Sequence, residues 1–402
     1  MKTLLIIEPQ LSGHHFRYLD WITSAALKED WKVVIATDEN FRKSSLITKL
    51  LTSYTNHLSI QFSDFNEAKN NTGLLALAKK EFYYWQKLRG IFHAASRDNT
   101  IDHVLLPYAD ICLYALALFP RPFGYCKWSA ITMRPTFHCY ETGLSSKKPG
   151  LLTRIKEVLF FRLLNTDAVS QLFVIDPCLL EYIDKHRPQH CVSYLQDPVD
   201  IEVQAMSREQ ACRIMGLEPS QPTVLLYGAI NARKGVYELL EAQALLPKEH
   251  QPTVVVAGCL APEVRMWLTN RVWQGAIEQG RLKIFDHFIS EEEERALFSA
   301  CDAVWLGYRD HLGSSGVLWQ ALVFKRPIIG CDEGLIGWFT RTKKLGVTIR
   351  VSDKESVANA LQTLPKASNI TLELQPVSGS VFAAKLINKL TIASCRVNKS
   401  SA

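Results

Sequence analysis

No G-x-G-x-x-G follows the first apolar run of this 402-residue chain, no G-x-x-x-x-G-K-[ST] occurs, and H-E-x-x-H is missing. Dinucleotide oxidoreductase, P-loop kinase and zinc protease readings each lose their motif with these absences. The ten cysteines, from Cys112 to Cys395, include no C-x-x-C pair and no finger spacing. That argues against a disulfide framework and structural zinc, and for buried apolar thiols in a reducing compartment. No stretch reaches the ~18 uninterrupted apolar residues of a spanning helix. The start, MKTLLIIEPQ, carries one lysine and a short apolar run closed at once by Glu8 and Pro9. It is too short for a signal peptide and reads as a first strand. Charge of one sign is not in large excess either, since 46 basic against 40 acidic residues leave a net +6 spread along the chain. No nucleic-acid arm stands out and no nucleic-acid partner is expected. The expected location is the cytoplasm, with any membrane contact peripheral and at the inner face.

What the chain does have is apolar residues in quantity, 47%, and a length that suits two domains rather than one core. Strand-like runs alternate with helix-like ones. Thr3 to Ile7, a helix from about Phe16 to Lys28, and Lys32 to Ala36 open the series. His103 to Leu106, Ser129 to Met133 and Gln171 to Ile175 continue it, with helices at Asp110 to Phe119 and Leu151 to Leu164. After a last strand at Val192 to Val199, the polar stretch Asp200 to Gln210 reads as a hinge. A second series follows at Thr223 to Tyr227, Thr253 to Ala257, Leu282 to Phe285, Ala303 to Leu306 and Pro327 to Ile329. Such alternation builds parallel sheets from βαβ units. The expected fold class is therefore α/β with two Rossmann-like domains, residues 1–199 and 200–365. A tail over 366–402 carries an amphipathic helix, roughly Val381 to Leu390, that packs back on one or the other.

The most informative stretch is Asp302 to Gly337, which reads as strand, Gly-Ser loop, helix, turn, strand and second Gly loop. Ser314, Ser315, Gly316 and Val317 then lie at a helix N-terminus, where the first amides lack intrahelical partners and a phosphate is favoured. The competing reading is that Ser315 merely caps the helix. The second domain opens with a strand ending at Gly228, then a loop holding Asn231, Arg233 and Lys234 just ahead of another helix. Cations there oppose the helix dipole unless an anion visits. An Arg fork and a Lys point charge together suit a diphosphate. Ser290 with Glu293 makes a capping box, which assigns Glu291 to Glu294 to structure. In the loop before it, at a strand's carboxyl end, His287 either frames a nucleotide base or has no role.

In the first half, the loop Gln10 to His15 follows the opening strand. Gly13 is a candidate contact for a nucleotide ligand, and one of the adjacent His14 and His15 could reach a substrate hydroxyl or phosphate; His14 is the candidate catalytic residue. Asp110 reads as a base or as a helix N-cap. Arg134, directly after a strand, is a cation that could face the same phosphates. The stretch Lys79 to Arg97 mixes Phe82, Tyr83, Trp85, Leu88, Ile91 and Phe92 with five basic residues. Such a helix either lies on anionic lipid or uses the aromatic stripe as core and the charges as its wet face. Thr153 to Leu164 is open to the same two readings.

Two Rossmann-like halves, Lys234-Gly235 after the first strand of the second half, SSGVL before a late helix, and the glycines of PIIG and GLIG together resemble the GT-B glycosyltransferases, specifically the large retaining family four. The resemblance implies two domains facing each other across a cleft, with a nucleotide-diphospho-sugar donor in the second and a glycan or lipid-linked acceptor in the first. It implies that Arg and Lys hold the donor diphosphate, and that no metal or other cofactor is needed; D-x-D, the metal-binding signature of single-domain relatives, is indeed absent. It also implies retention, with the diphosphate accepting the acceptor's proton. The chain departs from the family where Ala229 stands in place of an Arg and where Leu312 and Gln320 stand in place of a Glu-x7-Glu pair. Arg233 is read as supplying the lost cation, Gln320 still offers donor and acceptor to a diol, and the place of the first glutamate is taken by Asp310 or His311 after a small shift or by an altered site at Ser314 and Ser315. Envelope polysaccharide or glycolipid synthesis is the expected setting. A catalytically silent nucleotide-sugar-binding subunit, or another GT-B enzyme such as an epimerase, is the alternative.

Overall fold

The computed structural model describes residues 1–11, 14–54, 57–65, 74–364 and 374–399. The chain divides into two compact units, one formed by Met1–Thr142, Lys147–Asp197 and Ser378–Ala402, the other by Gly143–Ser146 and Pro198–Val377.

The first unit is built on seven strands, β1 (Lys2–Ile7), β2 (Trp31–Asp38), β3 (Leu58–Ser63), β4 (His103–Leu106), β5 (Trp128–Thr132), β6 (Val169–Val174) and β7 (Val192–Tyr194). All pairs are parallel, in the order β3-β2-β1-β4-β5-β6-β7. Central strands such as KTLLII are almost wholly buried, as parallel strands covered on both faces must be. Helix Leu74–Asp98 turns Tyr84, Leu88, Ile91 and Ala95 into that core. The aromatic stripe of the basic helix is therefore partly core, as one of its two readings held. The last helix, Gly379–Lys399, belongs to this unit. Its Phe382 ring lies 4.9 Å from that of Tyr18, and Thr391 accepts from the Trp31 indole at 3.4 Å.

Six strands form the second unit's sheet: β8 (Thr223–Tyr227), β9 (Thr253–Ala257), β10 (Leu282–Phe285), β11 (Ala303–Leu306), β12 (Ile328–Cys331) and β13 (Gly346–Ile349). They run parallel in the order β10-β9-β8-β11-β12-β13. The two strands missing from the sequence reading, β3 and β13, are both sheet edges and mostly half-buried. An edge strand can satisfy its surroundings without a continuous apolar run: GVTI carries little strand signal, while LSIQFS alternates apolar and polar residues, a half-buried pattern that a search for continuous apolar runs overlooks. Where a hinge had been expected, Ser207 caps the helix Arg208–Met215 and Gly216 ends it in the left-handed conformation. Arg208 forks onto both oxygens of Asp302 at 2.9 and 3.0 Å, fastening this helix to the start of β11. The expected helix at Asp110 to Phe119 divides into a 3₁₀ turn, Ala109–Ile111, and a short helix, Leu113–Leu118.

Both sheets reverse direction after their first three strands, so each has a topological switch point, between β1 and β4 in the first and between β8 and β11 in the second. Loops at the carboxyl ends of those strands diverge there and leave a crevice where ligands bind in such sheets. No helix among the described residues is long and apolar enough to cross a membrane.

Candidate functional site

The second switch point is crossed by a set of side chains from the loops after β8 and β11. Lys234 closes the 3₁₀ turn Ala232–Lys234, and Gly235, at φ +68°, hands the chain to the helix Val236–Leu245. The left-handed conformation and the lack of a Cβ are both required at Gly235. A methyl there would sit 2.1 Å from the Gly307 carbonyl oxygen. This close approach aims the Lys234 side chain inward, where it is 7% exposed. Its ammonium donates to the Tyr227 carbonyl at 2.7 Å and to the Tyr308 hydroxyl at 2.9 Å. Both partners are neutral oxygens. Burial, with Arg233 adding repulsion, lowers its pKa from 10.5 to about 8.

Arg233 is equally without a carboxylate among the described residues. Its Nη1 donates to His311 Nδ1 at 2.7 Å, and its guanidinium lies 6.0 Å from the Tyr308 ring. Burial first, then Arg233 and Lys234, push the His311 pKa down to about 4, so the ring is neutral near pH 7. With Nδ1 accepting, the proton is assigned to Nε2, which is buried and has no acceptor. The Asn231 Oδ1 is likewise buried without a donor. Two cations without counter-anions and two orphaned polar atoms, in one loop pair, describe a polar site whose complement is not among the described residues.

Tyr308 links this loop to the serine loop. Besides accepting from Lys234, its hydroxyl hydrogen-bonds to Ser315, and burial drives its pKa well up. Ser315 has φ +71°, a strained value for a residue with a Cβ, and caps the helix Gly316–Val323. Its hydroxyl accepts from the Val317 amide at 3.3 Å and its carbonyl from the Leu318 amide at 3.1 Å. The capping reading of Ser315 is thus realised, and the Val317 amide, expected to hold a phosphate oxygen, is occupied by that cap. Gly316 is exposed and Ser314 buried. Gln320, 9% exposed, donates to Glu294 Oε1 at 2.9 Å, and the Tyr227 hydroxyl donates to the other oxygen. Glu293 completes the capping box with Ser290; Glu294 does more than begin a helix, because it ties Gln320 to β8. Gly228, at the end of β8, keeps the space beside the Lys234 ammonium open, since a Cβ there would lie 3.0 Å from Nζ.

His287 is not brought into this cluster. It follows the edge strand β10, and its Nε2 contacts Glu293 Oε1 at 2.8 Å. Glu293 has a pKa lowered to about 2, chiefly by the Ser290 amide and then by His287. That pairing makes His287 part of the helix start.

At the first unit's switch point, Glu8 directly follows β1 and is 1% exposed. Its Oε2 lies 3.3 Å from His15 Nδ1. The His15 ring meets Tyr108 edge-on at 5.2 Å, and the Arg134 guanidinium lies 5.4 Å from the same Tyr108 ring. Arg134 is exposed. Gly13 and the side chain of His14 lie outside the described residues, although His14 begins the helix His14–Lys28. Asp110 needs correction. It caps no helix, and its carboxylate accepts from the Thr132 hydroxyl at 2.7 Å, the Met133 amide at 2.8 Å and the Arg134 amide at 3.1 Å. Burial raises its pKa against these bonds. The geometry supports a tie between the loop after β4 and the end of β5, rather than a base. Asp110→Ala leaves three donors unsatisfied and is expected to destabilise the protein by about 3 kcal/mol in urea unfolding. Nucleotide binding at full folding should not change. Lost turnover without lost stability would return Asp110 to the chemistry.

No family model matches the sequence, and no curated protein resembles it closely in sequence. Solved structures resemble it over its whole length. Sucrose-phosphate synthase from Thermosynechococcus elongatus is 13% identical with a TM-score of 0.64, over 100% of this chain and 98% of that one. Anabaena Alr3699/HepE, solved in complex with UDP and glucose, is 15% identical with a TM-score of 0.55, over 100% of both chains. UDP-GlcNAc 2-epimerase from Methanocaldococcus jannaschii is 13% identical with a TM-score of 0.54, over 98% of this chain and 100% of that one. The fold is that of the GT-B glycosyltransferases, as the sequence resemblance implied. Identity this low carries the fold and leaves the activity to be argued from the site.

Proposed function

We propose that the chain is a glycosyltransferase that takes a sugar from a nucleotide-diphospho-sugar, held at the second switch point, and delivers it with retention to a glycan or lipid-linked acceptor bound by the first unit. One observation carries this reading. Lys234 and Arg233 converge without a carboxylate between them, beside the orphaned His311 Nε2 and Asn231 Oδ1. A diphosphate supplies the missing negative charge and an acceptor for the His311 proton. As the bond from the anomeric carbon to the diphosphate oxygen breaks, the electron pair leaves with that oxygen. The ammonium, the guanidinium and the imidazole N–H stabilise the charge it gains. Two fixed cations do the work that a divalent metal does elsewhere, so the transfer is expected to be metal-independent. The departing diphosphate takes the acceptor's proton, which suits a site where no carboxylate among the described residues meets Lys234. Gly228 keeps the approach to that lysine clear, and Gln320, whose amide is held by Glu294, is the proposed partner of a donor hydroxyl. Arg134 and His14 are the proposed acceptor-side contacts. UDP is the first nucleotide to try, because the resembling HepE structure contains it.

Incubation with UDP-, GDP- and ADP-sugars tests the reading through slow donor hydrolysis. The expected result is release of a nucleoside diphosphate together with a sugar of unchanged anomeric configuration. A sugar nucleotide epimerised at carbon two, with no diphosphate released, supports the second reading, which the epimerase resemblance favours. Binding without any turnover supports a silent subunit, to which the apolar Leu312 in the serine loop would point.

A further inference from the structure

Helix Leu151–Leu164 buries Phe160, Leu163 and Leu164 in the first unit, yet its outer face is not polar. Leu151, Ile155 and Val158 follow each other at spacings of four and three residues, so they stack along one side. They are 77%, 48% and 68% exposed. An outer helix face in water normally carries charged residues along such a stripe. Here cations close the stripe at its two ends, Lys148 just before the helix and Arg162 one turn past Val158, and Arg154 flanks it, all exposed. Its one carboxylate, Glu157, is taken by the Tyr182 hydroxyl.

The apolar strip continues past this helix. The Arg162 Nε donates to the Ala117 carbonyl at 3.2 Å, next to the exposed Leu118 and Phe119. The Phe119 ring lies 5.7 Å from those of Phe82 and Trp85, which stack on each other at 5.6 Å. Phe82 shares the outer face of helix Leu74–Asp98 with the exposed Lys79 and Arg89. Three neighbouring helices thus present apolar side chains at the centre and cations at the rim.

We propose that this face docks on an anionic phospholipid surface. Leu151, Ile155, Val158 and Phe119 enter the boundary between headgroups and acyl chains, while the bordering Arg and Lys side chains meet lipid phosphates. A helix of 14 residues is about 21 Å long and cannot span a core of about 30 Å, so it lies in the interface plane. A second copy of the chain fits less well. A two-fold contact through this face would set the same cations against each other, with no exposed carboxylate among the described residues of the strip to answer them. The inference uses no residue of the nucleotide site and goes beyond the proposed activity.

Vesicle sedimentation of the full chain tests it, comparing phosphatidylcholine alone with phosphatidylcholine containing about one-third phosphatidylglycerol. The chain is expected to sediment with the anionic vesicles only, and binding should fall as salt shortens the Debye length from about 10 Å at 0.1 M toward 3 Å at 1 M. The double variant Ile155→Glu with Val158→Glu, at exposed positions, is expected to melt with the parent and to bind these vesicles about tenfold less. Its UDP-induced thermal shift should stay that of the parent, which keeps this test separate from failure of the nucleotide reading. Equal binding to neutral vesicles, no vesicle binding, or unchanged binding by the double variant would each overturn the proposal. So would a parent dimer that becomes monomeric in the double variant and ignores vesicles, which would make a second copy the occupant.

Discussion

Lys234→Met is expected to weaken UDP binding by about 100-fold, close to 3 kcal/mol, while leaving the melting temperature of the free protein within a few degrees of the parent. The two halves of that expectation come from different terms. In the free protein the buried ammonium is a liability. Depression of its pKa from 10.5 to about 8 corresponds to roughly 3 kcal/mol of unfavourable charge burial. Met removes that term and keeps the volume. It also removes a donor from the Tyr227 carbonyl and the Tyr308 hydroxyl, which costs about 1–3 kcal/mol. These terms oppose each other, so the fold barely responds. Binding has no such compensation, because the diphosphate loses a short charge-assisted contact in a largely dry site. Isothermal titration with UDP, beside thermal melting of both proteins without ligand, reads the two effects. Unchanged UDP affinity would remove Lys234 from the donor site.

The same pKa fixes a pH dependence. With its pKa at about 8, the Lys234 side chain is about nine-tenths protonated at pH 7, and a bound diphosphate raises that pKa, so binding takes up a proton as pH climbs. UDP affinity is therefore expected to fall about tenfold between pH 7 and 9 in the parent. It should be flat over that range in Lys234→Met. Stability of the free protein moves the other way. A lysine whose folded pKa lies below its unfolded value destabilises the fold while both states are protonated. That penalty fades as pH rises from about 8 toward 10.5. Opposite slopes for affinity and stability in one protein are a signature that general alkaline unfolding would not give.

How much of this could be seen in the sequence depended on whether the signal was local. Strands β8, β9 and β11 are covered on both faces, and their uninterrupted apolar runs announce them. Edge strands β3 and β13, half-buried, have no such run. Arg233, Lys234 and the serine loop stand out because residue type and junction position suffice to mark them. Tyr308 and Glu294 do not. Tyr308 ends an apolar run and reads as core, and only the pairing of β8 beside β11 sets its hydroxyl against Lys234. Glu294 sits in a run of four glutamates that a helix start explains completely, and its reach to Gln320 crosses 26 positions. Glu8 looked like the residue that ends β1; its pairing with His15 depends on how the next helix leaves the sheet.

The packing at Gly235 yields the second large effect. Gly235→Ala is expected to destabilise the second unit by about 4 kcal/mol and to lower its melting temperature by roughly 10 °C. Two costs combine. At φ +68° an L-residue with a Cβ pays about 1 kcal/mol for the left-handed conformation. The larger part is steric, because the new methyl would lie 2.1 Å from the Gly307 carbonyl oxygen and 3.4 Å from the Trp305 ring. Gly307 directly follows β11, and the Trp305 indole already donates to the Lys234 carbonyl at 2.9 Å, so neither neighbour can retreat without opening the β8 and β11 loops. Any retreat also moves Lys234 away from Tyr308, so protein that still folds should bind UDP poorly. Gly316→Ala is the matched control: it faces the same crevice, has no atom within 4 Å of an added Cβ, and lacks a positive φ. It should melt with the parent. If Gly235→Ala does so too, and binds UDP with the parent's affinity, then the close approach between the two loops does not hold Lys234 in place, and the site must be organised from the Tyr308 side alone.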